Sequence, residues 1–269
     1  MGSRSSHGLA KARRGYTLWM DAGHSGSEPR WYLDELAHAG PEHLDPTYVA
    51  DYDRKAQVDP TAELAYLRGL GLGENSSLVD LGAGTGTLAL AAAQVCRRVV
   101  AVDISPPMLA ALRRAAEQLR LSNLECVHAG FLSYAHQGDP ADFVYSRHAL
   151  HQLPDFWKAV ALRRIAAMLR PSGILRLRDL FLSCELDEVD AVVEAWLKGA
   201  AEHPNQGWTR PELETHLRDE YSTFTWLFEL MLQRAGFDIQ DATYSDSRIY
   251  ATYTCIRQGP RVRSRRVRP

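Results

Sequence analysis

The chain has 269 residues, 45% of them hydrophobic and 24% charged, and its formal net charge is −2. That composition is ordinary for a soluble globular protein of one or two domains. It argues against a membrane span, since no run of about 18 apolar residues occurs, and against a secretory signal, since the N-terminal segment is basic and polar. The four cysteines are widely spaced and form no C-x-x-C pair, which predicts reduced thiols in a cytoplasmic protein and no metal site.

Basic residues are concentrated at the two ends of the chain. The last thirteen residues carry six arginines and no acid, and the first fourteen carry four basic residues, so the middle is acidic. We expect residues 1–27 and 258–269 to be disordered and solvated. A short basic tail also suits contact with nucleic acid or a membrane surface, but nothing else in the sequence supports either partner.

Helix signals precede the first strand. Residues Trp31–Ala39 predict a short helix, and Asp45 with Pro46 is typical of an N-cap followed by a first helical position. A further helix is predicted over residues 62–70, where a run of glycines ends it. Residues 28–73 are therefore predicted to form an N-terminal helical cover.

The most informative stretch runs from Ser77 to Asp103. Apolar residues at 78, 79 and 81 predict a buried parallel strand, which a glycine-rich turn follows. An Ala/Leu-rich helix is predicted over 88–95, and a second strand over 98–102 leads directly to Asp103. The order strand, glycine loop, helix, strand, acid is the first half of a nucleotide-binding α/β fold.

Physical reasons explain the residue types in this stretch. Glycines let the backbone turn sharply and let a ligand approach without a Cβ in the way. The N-terminus of the following helix carries unpaired N–H groups and a partial positive charge, which favours a negative group of the ligand. An acid at the end of the second strand can accept both hydroxyls of a ribose.

The remaining elements alternate between strand and helix. Ser105 is a natural N-cap for the next helix, because a serine oxygen can accept a free N–H of the first turn. Further helices are predicted over 108–121, 155–169 and 221–235, and strands over 124–128, 142–146, 174–180, 237–244 and 249–256. Residues 184–219 are predicted to form a helical insertion that caps the mouth of the site.

The spacing of the glycines distinguishes between the classes of nucleotide-like ligand that such a fold can bind. The dinucleotide fingerprint G-x-G-x-x-G fails because its third position is Thr87, and a P-loop is excluded because no Gly-Lys-Ser/Thr follows. The form D-x-G-x-G-x-G from Asp80 to Gly86, with Asp103 seventeen residues later, resembles class I S-adenosylmethionine (SAM) dependent methyltransferases. The stretch LRPSGIL, which ends the helix before strand five, also resembles this family. A Rossmann-like protein with another ligand, or with none, is the alternative.

The resemblance implies a fold and a set of cofactor contacts. The fold is a Rossmann-like α/β fold with a seven-stranded, mostly parallel sheet in the order 3-2-1-4-5-7-6, helices on both faces and a helical cap. The implied cofactor-binding residues are Tyr52, Asp80, Gly82, Ala83, Gly84, Thr85, Gly86, Asp103, Ile104, Met108, Gly130, Phe131 and Arg147. For Tyr52, its neighbour Tyr48 and Met108, packing within the protein is an equal alternative. The family often has an acid just after strand three, and this chain has Ala129-Gly130-Phe131 there instead.

Two histidines follow the fourth strand, where ligands bind in open α/β sheets. His148 and His151 are the candidates for a general base, because a histidine pKa near neutrality suits proton transfer. They are three residues apart, so on a helical turn they would share a face. Arg147 beside them suits a substrate carboxylate or phosphate, although a salt bridge with Asp179 is slightly favoured. In the family that this sequence resembles, an Asn/Asp-Pro-Pro-aromatic motif at this position holds the amine of a base or an amide nitrogen. The motif does not occur here, so the resemblance implies a different acceptor.

These observations lead to one prediction with two alternatives. The chain is predicted to be a SAM-dependent methyltransferase acting on a small-molecule acceptor, with SAM as its cofactor. The alternatives are a tRNA or rRNA methyltransferase, which only the arginine tail supports, and a SAM-binding protein that transfers no methyl group. The predicted methyltransferase domain covers residues 74–257, and the sequence gives no indication of the oligomeric state.

Overall fold

The computed structural model describes residues 31–49, 52 and 59–259. The predicted disordered ends, 1–27 and most of 258–269, lie outside these residues. The chain divides into two compact units, Met1–Leu33 and Asp34–Pro269, and all the strands described here belong to the second. The predicted domain boundaries otherwise stay predictions.

A mixed sheet forms the centre of the fold. Its strands are β1 (Ser77–Leu81), β2 (Arg98–Asp103), β3 (Leu124–His128), β4 (Ala141–Arg147), β5 (Leu169–Leu182), β6 (Thr223–Phe224), β7 (Phe237–Tyr244) and β8 (Tyr250–Arg257). The order is β3-β2-β1-β4-β5-β8-β7, and the two-residue β6 pairs with β5 outside this path. Without β6, this is the predicted order 3-2-1-4-5-7-6. Strands β1 to β5 pair in parallel, and β8 is antiparallel to both β5 and β7.

Helices connect the strands. They are α1 (Thr61–Gly69), α2 (Thr87–Ala93), α3 (Pro106–Gln118), α4 (Asp155–Met168), α5 (Val189–Lys198), α6 (Arg210–Asp219) and α7 (Thr225–Ala235). The predicted cap of α3 is confirmed, since Ser105 Oγ accepts the Met108 N–H at 3.2 Å. A capping box begins α6, in which Thr209 and Glu212 bond each other's backbone. None of the described helices combines the length and apolar character that a membrane crossing requires.

Both faces of the sheet are buried. On one face, Leu78 of β1, Ala101 of β2 and Phe143 of β4 pack in one cluster with residues of α1, α2 and α3. The neighbouring residues Val79 and Val144 point to the other face and are also buried. Continuous burial along β1 explains its unbroken apolar run, which is typical of a central parallel strand.

Three local predictions were wrong. Residues 31–39 do not form one helix: only Leu36–His38 is helical, as a 3-10 turn whose first N–H groups bond the Asp34 carboxylate. Helix α7 begins at Thr225 rather than at 221, because the two residues before it pair with β5. Strand β5 begins at Leu169 rather than at 174, with an irregular register against β4 that accommodates the predicted turn residues.

Candidate active site

The glycine loop after β1 adopts the left-handed backbone conformation at three residues. The φ angles are 72° at Gly82, 56° at Gly84 and 90° at Gly86. A Cβ at Gly82 would lie 2.2 Å from the Ala149 side chain, and a Cβ at Gly86 would lie 2.6 Å from Leu112. A Cβ at Gly84 would meet nothing within 4 Å. Two of these glycines therefore allow close packing, whereas Gly84 faces open space that a ligand can fill.

Asp103 fixes the tip of this loop. Its Oδ2 accepts the Gly84 N–H at 2.7 Å, and its Oδ1 accepts the Ser105 N–H at 2.8 Å. Burial raises the pKa of the Asp103 carboxyl, although both hydrogen bonds oppose the increase. Asp80 lies deeper, and burial together with the charge of Asp103 raises its pKa to about 7.

An acid from a distant segment occupies the loop after β3. The Glu35 carboxylate accepts the N–H groups of Leu132 and Ser133, both at 2.9 Å, and the Ser133 hydroxyl at 2.8 Å. A Cβ at Gly130 would lie 2.4 Å from Glu35 Oε1, so the glycine is needed for this approach. Burial raises the pKa of Glu35. Sequence reasoning missed this residue, since no local pattern marks an acid 97 positions before its partner.

A cavity lies between the glycine loop, Asp103 and the loop after β3. Of the thirteen residues predicted to contact the cofactor, nine line it: Tyr52, Gly82, Gly84, Asp103, Ile104, Met108, Gly130, Phe131 and Arg147. Asp80, Ala83, Thr85 and Gly86 do not line it. Glu35 and His148 are further lining residues. We call this space the nucleotide cavity.

A second, larger cavity adjoins the first. It has a volume of ≈ 370 Å³, and its walls include Trp196, Trp208 and Tyr250. We call it the aromatic cavity. His43, Tyr52 and His148 line both cavities, so the two spaces meet at these residues.

His148 stands where the two cavities meet. Its φ of 49° is left-handed, so it does not share a helical face with His151 as the spacing suggested. The imidazole lies 5.3 Å from the Tyr250 ring, between centroids, and Nε2 is shielded from solvent without a hydrogen-bond partner among the described residues. Burial lowers the pKa of His148 to about 3, which keeps the imidazole neutral near pH 7.

His151 is held by Asp179. His151 Nδ1 lies 2.5 Å from Asp179 Oδ1, and Asp179 is completely buried within β5, three residues before its last residue. The same carboxylate also accepts the N–H groups of Leu150 at 2.7 Å and of Leu180 at 2.8 Å. The predicted salt bridge between Arg147 and Asp179 is therefore wrong, because His151 and backbone N–H groups occupy that carboxylate.

Two further residues surround the other side of the His151 ring. His151 Nε2 lies 3.1 Å from Glu220 Oε2, and the same oxygen contacts His216 Nδ1. Burial lowers the pKa of His151, but the charges of Asp179 and Glu220 outweigh it and raise the value to about 9. His151 is thus protonated near pH 7 and is a poorer candidate for a base than the sequence suggested.

Comparisons with known proteins agree with this geometry. The family described as "Methyltransferase domain" matches residues 78–173. An uncharacterized methyltransferase of Schizosaccharomyces pombe is 29% identical over 126 residues, which are 46% of this chain and 47% of that protein. A carboxy-S-adenosyl-L-methionine synthase of Desulfotalea psychrophila is 32% identical over 117 residues, 42% of this chain and 47% of that protein. The matched stretch spans less than half the length of each relative.

Solved structures give the same fold. The magnesium protoporphyrin IX methyltransferase of Synechocystis PCC 6803, crystallised with SAM, superposes with a TM-score of 0.58 at 14% identity. The alignment covers 86% of this chain and all of that one. At that identity the likeness shows the fold, and the family match shows the domain type. Residues 78–173 therefore match a methyltransferase domain, and the chain has the fold of the SAM-bound methyltransferase on which it superposes.

Proposed function

We propose that the protein transfers the methyl group of SAM to a small-molecule acceptor held in the aromatic cavity. One observation carries the proposal: the nucleotide cavity and the aromatic cavity share His43, Tyr52 and His148 as walls. A cofactor and an acceptor in these cavities would meet beside His148. Proximity and orientation of this kind can lower the activation free energy by up to about 7–11 kcal/mol.

The residues of the nucleotide cavity fit the cofactor chemically. The open space at Gly84 accommodates a ligand against the loop backbone, and Asp103 has lone pairs left for the ribose hydroxyls. Ile104, Met108 and Phe131 provide apolar walls for a purine. These assignments follow the predicted roles of the residues.

Three polar residues complete the proposed cofactor contacts. Glu35 takes the place of the acid that the sequence lacks after β3, so its carboxylate is assigned to the adenine amino group. Arg147 is assigned to the carboxylate of the cofactor, since this residue lines the same cavity. Tyr52 would contact the methionine end, near the junction with the aromatic cavity.

His148 is proposed as the base. Bound SAM supplies an electrophilic methyl group on a sulfonium. The neutral His148 imidazole, with Nε2 free of a protein partner among the described residues, can accept a hydrogen bond from the acceptor and take its proton. A correctly positioned base typically increases the reaction rate by about 10²–10⁴-fold. His151, which Asp179 and Glu220 keep protonated near pH 7, is not assigned this role.

The shape of the aromatic cavity supports a small acceptor. Its volume of ≈ 370 Å³ lies within the range of small-molecule sites, about 300–1,000 Å³. Trp196 and Tyr250 offer flat apolar surfaces for a planar molecule. Four unpaired cysteines further support a reducing, cytoplasmic location.

A SAM-binding protein that transfers no methyl group is the second candidate. It is favoured by one comparison, since a relative at 32% identity is named a synthase of carboxy-SAM and not a methyltransferase. The two candidates share the cofactor cavity and differ only in the product formed.

Product analysis tests the proposal. The purified protein is incubated with SAM and a panel of small phenols, carboxylates and amines, and S-adenosylhomocysteine is quantified by mass spectrometry. Acceptor-dependent formation of S-adenosylhomocysteine, abolished in Asp103→Ala, is the expected result. SAM binding without product from any acceptor would favour the second candidate. Methylation of RNA instead, lost in a chain ending at 257, would contradict the small-molecule assignment.

A further inference from the structure

Three side chains with metal-binding atoms converge on one wall of the aromatic cavity. One ligand atom each from His151, His216 and Glu220 lies within 4.8 Å of the others. All three residues line the cavity. They come from two separate elements: the 3-10 turn Leu150–Gln152 after β4, and the C-terminal end of α6.

The helix end and a backbone hydrogen bond bring the three ligand atoms close together. His216 and Glu220 are four residues apart at the end of α6, so their side chains lie on the same face. The Tyr221 N–H donates to the His151 carbonyl at 2.9 Å, which ties the end of α6 to the turn that carries His151. The imidazole rings of His151 and His216 are 4.8 Å apart, between centroids. The three groups are therefore held together by backbone contacts and not by side-chain conformation alone.

Asp179 fixes the orientation of the His151 ring. It bonds Nδ1 and leaves Nε2 directed at Glu220, 3.1 Å away. In metal sites a ligating histidine commonly donates its other N–H to such a carboxylate, which fixes the tautomer and the orientation of the ring. Asp179 is buried and bonded to several backbone N–H groups, so its own position is also fixed.

We infer that His151, His216 and Glu220 form a binding site for a divalent transition-metal ion of the Zn²⁺ type, which would replace the proton on His151 Nε2 while Asp179 holds Nδ1. Two histidines and one carboxylate with a further coordination position open are the ligand set of catalytic zinc sites. The open position would face the aromatic cavity. Gln152, whose Nε2 lies 3.3 Å from His151 Nε2, would turn aside when the ion binds.

The site narrows the class of acceptor, and this consequence rests on the proposed methyl transfer. An ion at this wall would coordinate an oxygen of the acceptor and favour its deprotonated form. Hydroxyl acceptors that chelate or coordinate a metal, such as phenols and enols, are therefore the expected substrates. The metal site itself does not depend on methyl transfer.

Metal binding is tested without cofactor or acceptor. Tag-free, EDTA-treated protein is titrated with Co²⁺, followed by its visible absorption, and then with Zn²⁺ in competition. The expected result is saturation at about one ion per chain with an absorption band of a four- or five-coordinate site. Absence of binding at micromolar Co²⁺ and Zn²⁺ by folded protein would overturn the inference.

Variants locate the ion. His216→Ala and Glu220→Gln are each expected to weaken Co²⁺ binding by at least about 100-fold, because removing a residue that only orients a ligand already costs up to about 100-fold. His203→Ala is the matched control, because this exposed histidine lies outside the cluster and should bind Co²⁺ normally. Binding that survives in both cluster variants would also overturn the inference. Thermal unfolding and SAM titration of the same variants separate a lost metal site from a lost fold, and failure here would leave the methyltransferase proposal untouched.

Discussion

Alanine substitutions at two glycines of the same loop separate packing from ligand binding. Gly82 and Gly84 have similar left-handed φ angles, 72° and 56°. Each Gly→Ala change therefore carries a similar backbone strain of about 1–2 kcal/mol, and each reduces the entropy of the unfolded chain similarly. The variants differ in what the new methyl group meets.

The difference can be estimated from the structure. At Gly82 the methyl group would lie 2.2 Å from the Ala149 Cβ, so the Ala149 backbone or the loop must move. Overpacking of this kind costs about 1–3 kcal/mol. At Gly84 the methyl group meets no atom within 4 Å and projects into space assigned to the cofactor. Gly82→Ala should therefore be less stable than Gly84→Ala by about 1–3 kcal/mol.

Urea denaturation and calorimetry measure the two effects. Gly84→Ala is expected to lose only the stability that the backbone strain costs, about 1–2 kcal/mol. Its affinity for SAM should fall by at least about tenfold, which corresponds to about 1.4 kcal/mol. Equal destabilisation of both variants would refute the packing argument for Gly82. Wild-type SAM affinity in Gly84→Ala would refute the assignment of the nucleotide cavity to the cofactor.

Three further outcomes are expected. Glu35→Gln should lower SAM affinity by about tenfold, because a carboxylate accepts a stronger hydrogen bond than an amide does. The control Glu74→Gln, at an exposed site, should leave the affinity unchanged. Equal calorimetric affinities of the Glu35→Gln variant and the wild type would contradict this prediction. The raised pKa of Asp80, about 7, favours its protonated form in the folded state, so this group's contribution to stability is full below about pH 4 and is lost as the pH rises to about 7. In Asp80→Asn the urea midpoint should decline less steeply between these pH values than in the wild type. An unchanged dependence of the midpoint on pH would contradict the raised pKa of Asp80. His148→Ala should retain SAM binding but lose about 10²–10⁴-fold in the rate of S-adenosylhomocysteine formation, and an undiminished rate would exclude His148 as the base.

Local sequence signals predicted the centre of the fold because its elements depend on neighbouring residues. The strand, glycine loop and second strand from Ser77 to Asp103 are read directly from apolar runs and glycines, and Ser105 was predicted as the cap it forms. The short strand β6 was missed, since a two-residue pair with β5 has no pattern of its own.

The site was less predictable because tertiary contacts assemble it. Glu35 reaches a loop 97 residues away, and the partners of His151 come from β5 and from the end of α6. Asp179 and Arg147 lie on neighbouring strands, as the predicted salt bridge required. The prediction failed because the Asp179 carboxylate instead accepts the N–H groups of the turn at Leu150. Helical spacing also grouped His148 with His151, whereas the left-handed backbone at His148 separates them.

Isothermal titration of the purified protein with SAM, and then with S-adenosylhomocysteine, tests the central assignment most directly. Asp103, Gly84 and Glu35 form a cavity suited to the nucleoside that both molecules share, so both should bind with affinities in about the micromolar range. If circular dichroism shows that the protein is folded and neither molecule binds, the assignment of this cavity to the cofactor is contradicted.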